Sequence, residues 1–271
     1  MRAPAPAKIN LALVVGPTRA DGKHEVATVL QRVDLADRVA VAPGTALEVA
    51  GFPADTIVRD ALAALAAAAG VDPRWKATIS KRIPLAAGLG GGSSDAATAL
   101  RLANETLDEP LAADDLHTVA ATVGADVPFF LVDGPQFGRG DGSALRPLSL
   151  PQDYWIVIVL PAGSAKPSTA AVYAAFDERR GGLGWEERLA RLEAALAGVR
   201  RPRDLAALPP NDLASSPVAD ALLRHGAFRA DVSGAGPALY GLFHHRRQAE
   251  AARRELRDVG TTWLTVPVWY G

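Results

Sequence analysis

Apolar and polar positions alternate along the first fifteen residues. Ala7, Ile9, Leu11, Leu13 and Val15 fall on one side, Lys8 and Asn10 on the other. A period of two predicts a strand with one face in a core, and it points Lys8 and Asn10 the same way, about 7 Å apart. Arg19-Ala20-Asp21-Gly22 reads as a turn, and Thr28–Val33 and Val39–Ala42 read as further short strands. Pro53-Ala54-Asp55 opens a helix over Thr56–Ala69 that Gly70 and Pro73 end. Lys76–Lys81 predicts a strand, Ser93–Asn104 and Ala113–Val123 helices, and Phe129–Val132 and Ala144–Leu148 strands. Trp155–Leu160 reads as a buried strand, with helices after it near Ser168–Asp177, Trp185–Ala197 and Asp212–His225. Phe228–Val232 and Ala238–Phe243 are strands around a glycine turn; a charged helix, Arg246–Asp258, and a strand, Trp263–Trp269, follow. Strands and helices mix without strict alternation, which predicts an α+β protein rather than a doubly wound sheet. Pro147, Pro151, Gln152 and Asp153 suggest a boundary, giving an N-terminal lobe of 1–150 and a C-terminal lobe of 151–271.

Composition narrows the class. The 271 residues are 49% hydrophobic, enough for a sizeable core, and 29 basic against 30 acidic residues leave a charge of -1. That balance argues against a general nucleic-acid binder. The chain has no cysteine, which removes disulfides and thiolate chemistry and is compatible with a cytoplasmic protein. Lys8 and Asn10 interrupt any signal-peptide core, and Ala61–Ala69 is far shorter than the ~20 residues of a membrane span. The expected partner is therefore a small molecule, with no nucleic acid and no membrane; oligomeric state is left open.

Four stretches could carry chemistry. Pro84-Leu-Ala-Ala-Gly88-Leu89-Gly90-Gly91-Gly92-Ser93-Ser94-Asp95 precedes an Ala-rich helix. Its glycines let backbone approach a ligand, and amides at a helix start cradle phosphate. It has neither the lysine of a Walker loop nor the sixth-position glycine of a dinucleotide fingerprint. The plain alternative is a flexible, serine-capped loop. Lys8 and Asn10 either act on a ligand or form a strand face meeting water; only five of the basic residues are lysines. In Gly124-Ala-Asp126-Val127-Pro128-Phe129-Phe130, Pro128 predicts an extended Val127 and sets Asp126 on a bend, as a base or as a cap of local amides. Ser233-Gly234-Ala235-Gly236-Pro237 could approach phosphates or simply turn a hairpin. His24 is a candidate for recognising a base, whereas His244 and His245 lack partners at metal-site spacing, and Arg246–Asp258 reads as a solvated face. No acidic pair stands out as a metal site.

In order, Ala5-Pro-Ala-Lys8-Ile-Asn10-Leu11, Ala20-Asp21-Gly22 before His24-Glu25, Lys81-Arg-Ile-Pro84 through Ala97, Gly124 through Phe130, Asn211-Asp212-Leu213 and Ser233-Gly-Ala-Gly236 resemble the GHMP kinases. The likeness runs from about residue 5 to 243 and matches the subgroup acting on cytidylyl-methylerythritol in non-mevalonate isoprenoid synthesis. It implies a two-lobed fold with ATP, Mg2+ and substrate in the cleft between lobes. It also implies Asp126 as catalytic base, Lys8 steadying it, Asn10 at the methylerythritol end, and Pro84 with Gly88–Ser94 around the ATP phosphates. His24 would bond the cytosine edge, Tyr173 would stack on it, and Asp212 has no role assigned. Two departures stand out: Lys23 replaces the aromatic usual before the histidine, and Pro237 follows a glycine turn closer to homoserine-kinase-like relatives. They leave room for another alcohol acceptor, while the presence of Lys8, Asp126 and the loop speaks against a catalytically silent binding protein.

Overall fold

The computed structural model describes residues 1–52, 57–164 and 168–268. In chain order the elements are β1 (Arg2–Thr18), β2 (His24–Pro43), β3 (Glu48–Ala50), α1 (Ile57–Ala69), β4 (Trp75–Ser80), α2 (Gly91–Asn104) and α3 (Ala113–Val123). There follow β5 (Gln136–Arg139), β6 (Ala144–Pro147), β7 (Trp155–Pro161), α4 (Thr169–Glu178), α5 (Trp185–Gly198) and α6 (Pro217–Arg224). The last are β8 (Arg229–Val232), β9 (Leu239–Phe243), α7 (Arg246–Glu255) and β10 (Gly260–Thr265). Short 3-10 helices lie at Pro128–Leu131, Pro202–Ala207 and Leu256–Asp258.

Contacts divide the chain into two compact units that interleave along the sequence. The first holds Met1–Ala7, Leu35–Leu85 and Gly90–Asp133; the second holds Lys8–Asp34, Ala86–Leu89 and Gly134–Gly271. In the first unit the later half of β2 pairs antiparallel with β4, and β3 joins β4 in parallel. Strand β4 alternates buried and exposed positions, with Trp75, Ala77 and Ile79 buried, as its period of two requires. Helix α2 is buried nearly all round from Ser94 to Asn104, and its alanines let α1 and the Pro128–Leu131 helix pack closely against it.

In the second unit the early half of β2 pairs with β5, and β5 with β6. A separate antiparallel sheet has the order β10-β7-β9-β8. Val157, Val159, Leu239 and Phe243 pack there against Leu222, Ala249, Ala252 and Leu256 from α6, α7 and the last 3-10 helix. Among the described residues no helix is long and apolar enough to cross a membrane.

Several expectations change. The two strands expected at Thr28–Val33 and Val39–Ala42 are one continuous β2, in which the intervening Asp37 is a fully buried ion-pair partner. The strand expected at Phe129–Val132 is a 3-10 helix, and Val127 is helical (φ -65, ψ -45), not extended. Burial of Val127 together with its bonds to Gly124 and Phe130 outweighs the local effect of Pro128. The helix expected from Asp212 begins only at Pro217, capped by Ser216, whose Oγ accepts from the Val218 amide at 3.3 Å. Strand β10 occupies Gly260–Thr265, starting before the expected Trp263, and the expected end at Trp269 lies outside the described residues. β3 and β5 were not expected. The helix start at Pro53-Ala54-Asp55 lies outside the described residues.

Candidate active site

In the second unit, β1 brings Lys8 and Asn10 into the interior. They are 4% and 5% exposed, so they are not a strand face meeting water. Lys8 Nζ donates to Asn10 Oδ1 at 2.6 Å, and Asn10 Nδ2 donates to Thr28 Oγ1 on β2 at 2.8 Å. Thr28 Oγ1 in turn donates to the Ala12 carbonyl at 2.9 Å. The Lys8 amide donates to the Leu89 carbonyl at 2.9 Å, which ties the glycine loop to β1. Ser233 closes the cluster: its Oγ donates to the Gly88 carbonyl at 3.0 Å and accepts from the Asn10 amide at 3.4 Å.

The two glycine turns meet here because side chains would not fit. Gly88 has φ +81, and a Cβ on it would stand 2.3 Å from the Ser233 carbonyl oxygen. A Cβ on Gly234 would lie 3.3 Å from Asn10 Oδ1 and 3.5 Å from Lys8 Nζ. The second turn is therefore part of this cluster rather than only a hairpin.

Asn211 and Asp212 support that arrangement. Asn211 Nδ2 donates to the Val232 and Gly234 carbonyls at 3.0 and 2.7 Å, holding the second turn from behind. Asp212 Oδ2 accepts from the Val15 amide at 2.9 Å and from Arg188 Nε at 3.0 Å. Its role is to fix the end of β1. Asp231 accepts from the Asn211 amide at 2.9 Å and lies beside the buried Arg229 guanidinium. Burial, partly countered by Arg229, raises the Asp231 pKa above the usual carboxylate range.

In the first unit, α2 begins after Gly90, and its first amides have no carbonyl a turn behind them. Pro84 and Gly90 through Ser93 are half-buried, and Ser94 is fully buried. The Ser94 hydroxyl has no hydrogen-bond partner among the described residues, a polar atom left available at the helix start. Beneath it Lys81 Nζ lies 2.5 Å from Asp37 Oδ2 and 2.7 Å from Asp95 Oδ2, both carboxylates being fully buried. Asp37 Oδ1 also accepts the Ile83 amide at 2.8 Å, so one carboxylate fixes the chain entering the loop. Burial disfavours the Lys81 charge, but hydrogen bonds and attraction from Asp37 and Asp95 outweigh it and raise its pKa. In the sequence Lys81 stands out only as part of a motif, with no role attached. Asp126, half-buried, lies on the turn between α3 and the Pro128–Leu131 helix, which packs on α2.

His24 and Tyr173 are brought together in the second unit. Their ring centroids are 4.8 Å apart, and Phe176 meets the imidazole edge-on at 5.9 Å. Asp177 Oδ1 lies 2.8 Å from His24 Nε2. A cavity of about 420 Å³ opens beside them, also lined by Gly22, Lys23, Asp141 and Thr169. Lys23 does not stand as a stacking group there; it is paired with Asp141 at 2.5 Å. Hydrogen bonds from Lys23 and Ser143 hold the Asp141 carboxyl at a pKa of about 2. His24 and Thr28 point to the same side of β2, four residues or ~13 Å apart. The cavity at His24 and the Lys8 cluster at Thr28 are thus separated by about 13 Å along β2. No group of three or more His, Cys, Asp or Glu among the described residues has the arrangement of a metal site.

Residues 56–134 match the family described as GHMP kinases N terminal domain, and 189–262 match GHMP kinases C terminal. A protein of Anaeromyxobacter sp. (strain Fw109-5) named 4-diphosphocytidyl-2-C-methyl-D-erythritol kinase is 39% identical over 94% of this chain and 86% of its own. One of Pelobacter propionicus with the same name is 37% identical over 96% and 95%. A crystal structure of 4-(cytidine 5'-diphospho)-2C-methyl-D-erythritol kinase superposes with a TM-score of 0.80 at 32% identity, covering both chains fully. A mevalonate kinase at 13% identity and a TM-score of 0.76 shares the fold. With identity of this degree over nearly its whole length, the chain belongs to the GHMP kinase family.

Proposed function

We propose that this protein transfers the γ-phosphoryl group of ATP to the 2-hydroxyl of 4-diphosphocytidyl-2-C-methyl-D-erythritol, a step of non-mevalonate isoprenoid precursor synthesis. The observation that carries this reading is identity of 39% and 37%, over almost the full chain, to kinases of that name. The two family matches fall on either side of residue 150, while the second compact unit of the fold draws residues from both sides of it. Work on a small phosphorylated metabolite, and the absence of a membrane-crossing helix among the described residues, fit a cytoplasmic enzyme.

Phosphoryl transfer through a loose transition state asks mainly for positioning and charge neutralisation. The α2 amides, with Pro84 and Gly88 through Ser94, would hold the ATP phosphates at the positive end of the helix dipole. Mg2+, held largely by phosphate oxygens and water, would neutralise charge on the nucleotide. The orphaned Ser94 hydroxyl is the hard oxygen donor at the loop that fits such an ion. Asp126 would take the proton of the acceptor hydroxyl, and Lys8, fixed in place by Asn10, would stabilise developing charge. Asn10 would face the methylerythritol end, with His24 and Tyr173 at the cytosine.

The test is ADP release with Mg-ATP and this acceptor. Acceptor-dependent turnover is expected, and Asp126→Asn should lower kcat by about 10²–10⁴-fold while ATP binding persists. ADP release only with a different alcohol would move the assignment to that acceptor.

A further inference from the structure

Helix α4 presents Thr169, Tyr173 and Asp177 at spacings of four, hence along one face, and all three line the cavity beside His24. Two of them grip the same imidazole. Tyr173 lies against the ring, and Asp177 Oδ1 is 2.8 Å from Nε2. Phe176, fully buried, closes the ring's edge, and the His24 side chain is only 9% exposed. The imidazole is therefore fixed in plane and in rotation, while its Nδ1 takes no partner among the described residues.

We infer that Asp177 is a positioning residue that selects which edge of a pyrimidine His24 reads. The inference rests on the nucleotide reading of this cavity and extends it. An ionised carboxylate only accepts hydrogen bonds, so in neutral His24 the proton sits on Nε2 and points at Asp177. The remaining nitrogen, Nδ1, is then an acceptor. An acceptor at the cavity wall matches an exocyclic amino group, the donor that distinguishes cytosine from uracil. Uracil offers a carbonyl at that position, which would face the Nδ1 lone pair and leave both groups unpaired. Asp177 thus supplies the choice between two bases of nearly the same shape without touching either.

The experiment uses the full chain at about pH 8, where an ordinary histidine is neutral. Binding of cytidine 5'-diphosphate and uridine 5'-diphosphate is measured by titration calorimetry for the wild type, Asp177→Asn and Asp177→Ala. The tautomer of His24 is read from ¹⁵N chemical shifts of histidine-labelled protein. The wild type is expected to hold the proton on Nε2 and to prefer the cytidine nucleotide by at least tenfold. Asparagine can donate as well as accept, so Asp177→Asn should lose the fixed tautomer and most of that preference. A merely structural role would weaken both nucleotides alike and leave their ratio unchanged. An unchanged ratio while the cytidine nucleotide binds, or a wild-type proton on Nδ1, overturns this assignment alone. Failure of both nucleotides to bind the wild type overturns the nucleotide reading of the cavity and this assignment with it.

Discussion

At the scale of single residues, the polar groups that matter are held by partners far away in sequence. Gly88 meets Ser233 across 145 positions, and Asn10 meets the same serine across 223. Gly88→Ala would force a Cβ to within 2.3 Å of a backbone oxygen, in a conformation that L side chains rarely adopt. We expect a loss of roughly 1–3 kcal/mol in stability, read as a lower Tm, and a larger fractional loss in kcat/KM because the loop is displaced. Lys8 and Gly88 could be picked out from the sequence because lysine in a strand and clustered glycine are unusual in this chain, Asn10 because it shares the strand face of Lys8, and His24 through the family resemblance. Asp37, Asp177 and Arg229 could not. An aspartate inside an apolar strand looks like any polar interruption until its lysine, 44 positions on, is seen beside it.

At the scale of elements, the Lys81 cluster ties three of them together. Lys81 follows β4, Asp37 lies in β2, and Asp95 lies at the start of the second turn of α2. Removing the cation strands two buried carboxylates, a class of change that costs about 3–5 kcal/mol. Lys81→Met should therefore lower Tm strongly and weaken ATP binding, because the start of α2 loses its floor. Asp37→Asn should cost less, since an amide oxygen can still accept from Arg82 and Ile83 and Lys81 keeps Asp95, with the new amino group facing the Lys81 ammonium as its main penalty. Thermal melts of the two variants side by side check the ordering. Period and caps were enough to find most helices and strands, including α3 at its observed limits. The failures were local signals overruled by packing, as when buried Val127 turned helical ahead of a proline.

For the molecule as a whole, charge near neutrality leaves individual groups to shape the response to pH. The Lys81 pKa is raised on folding, so its contribution is complete below the ordinary lysine value and is lost as pH rises through the raised one. The Asp141 pKa is depressed to about 2, so its contribution is present above the ordinary carboxylate range and is lost as pH falls towards about 2. Asp231, raised by burial, acts in the opposite sense and favours the fold as it protonates. The fall in Tm between about pH 4 and about pH 2 should be shallower in Asp141→Asn than in the wild type, by a small margin because Lys23 is largely in water. The α+β mixture followed from the order of strands and helices, whereas the interleaving of the two units did not, because β1 and β2 each feed both. That interleaving has a consequence for ancestry and for engineering alike. No single cut yields a half that keeps its own strands, so recombination between relatives at any one crossover swaps pieces of both units at once. Chimaeras of this chain would have to be assembled as a patchwork, with residues 8–34 travelling together with residues 134–271, whose unit they share.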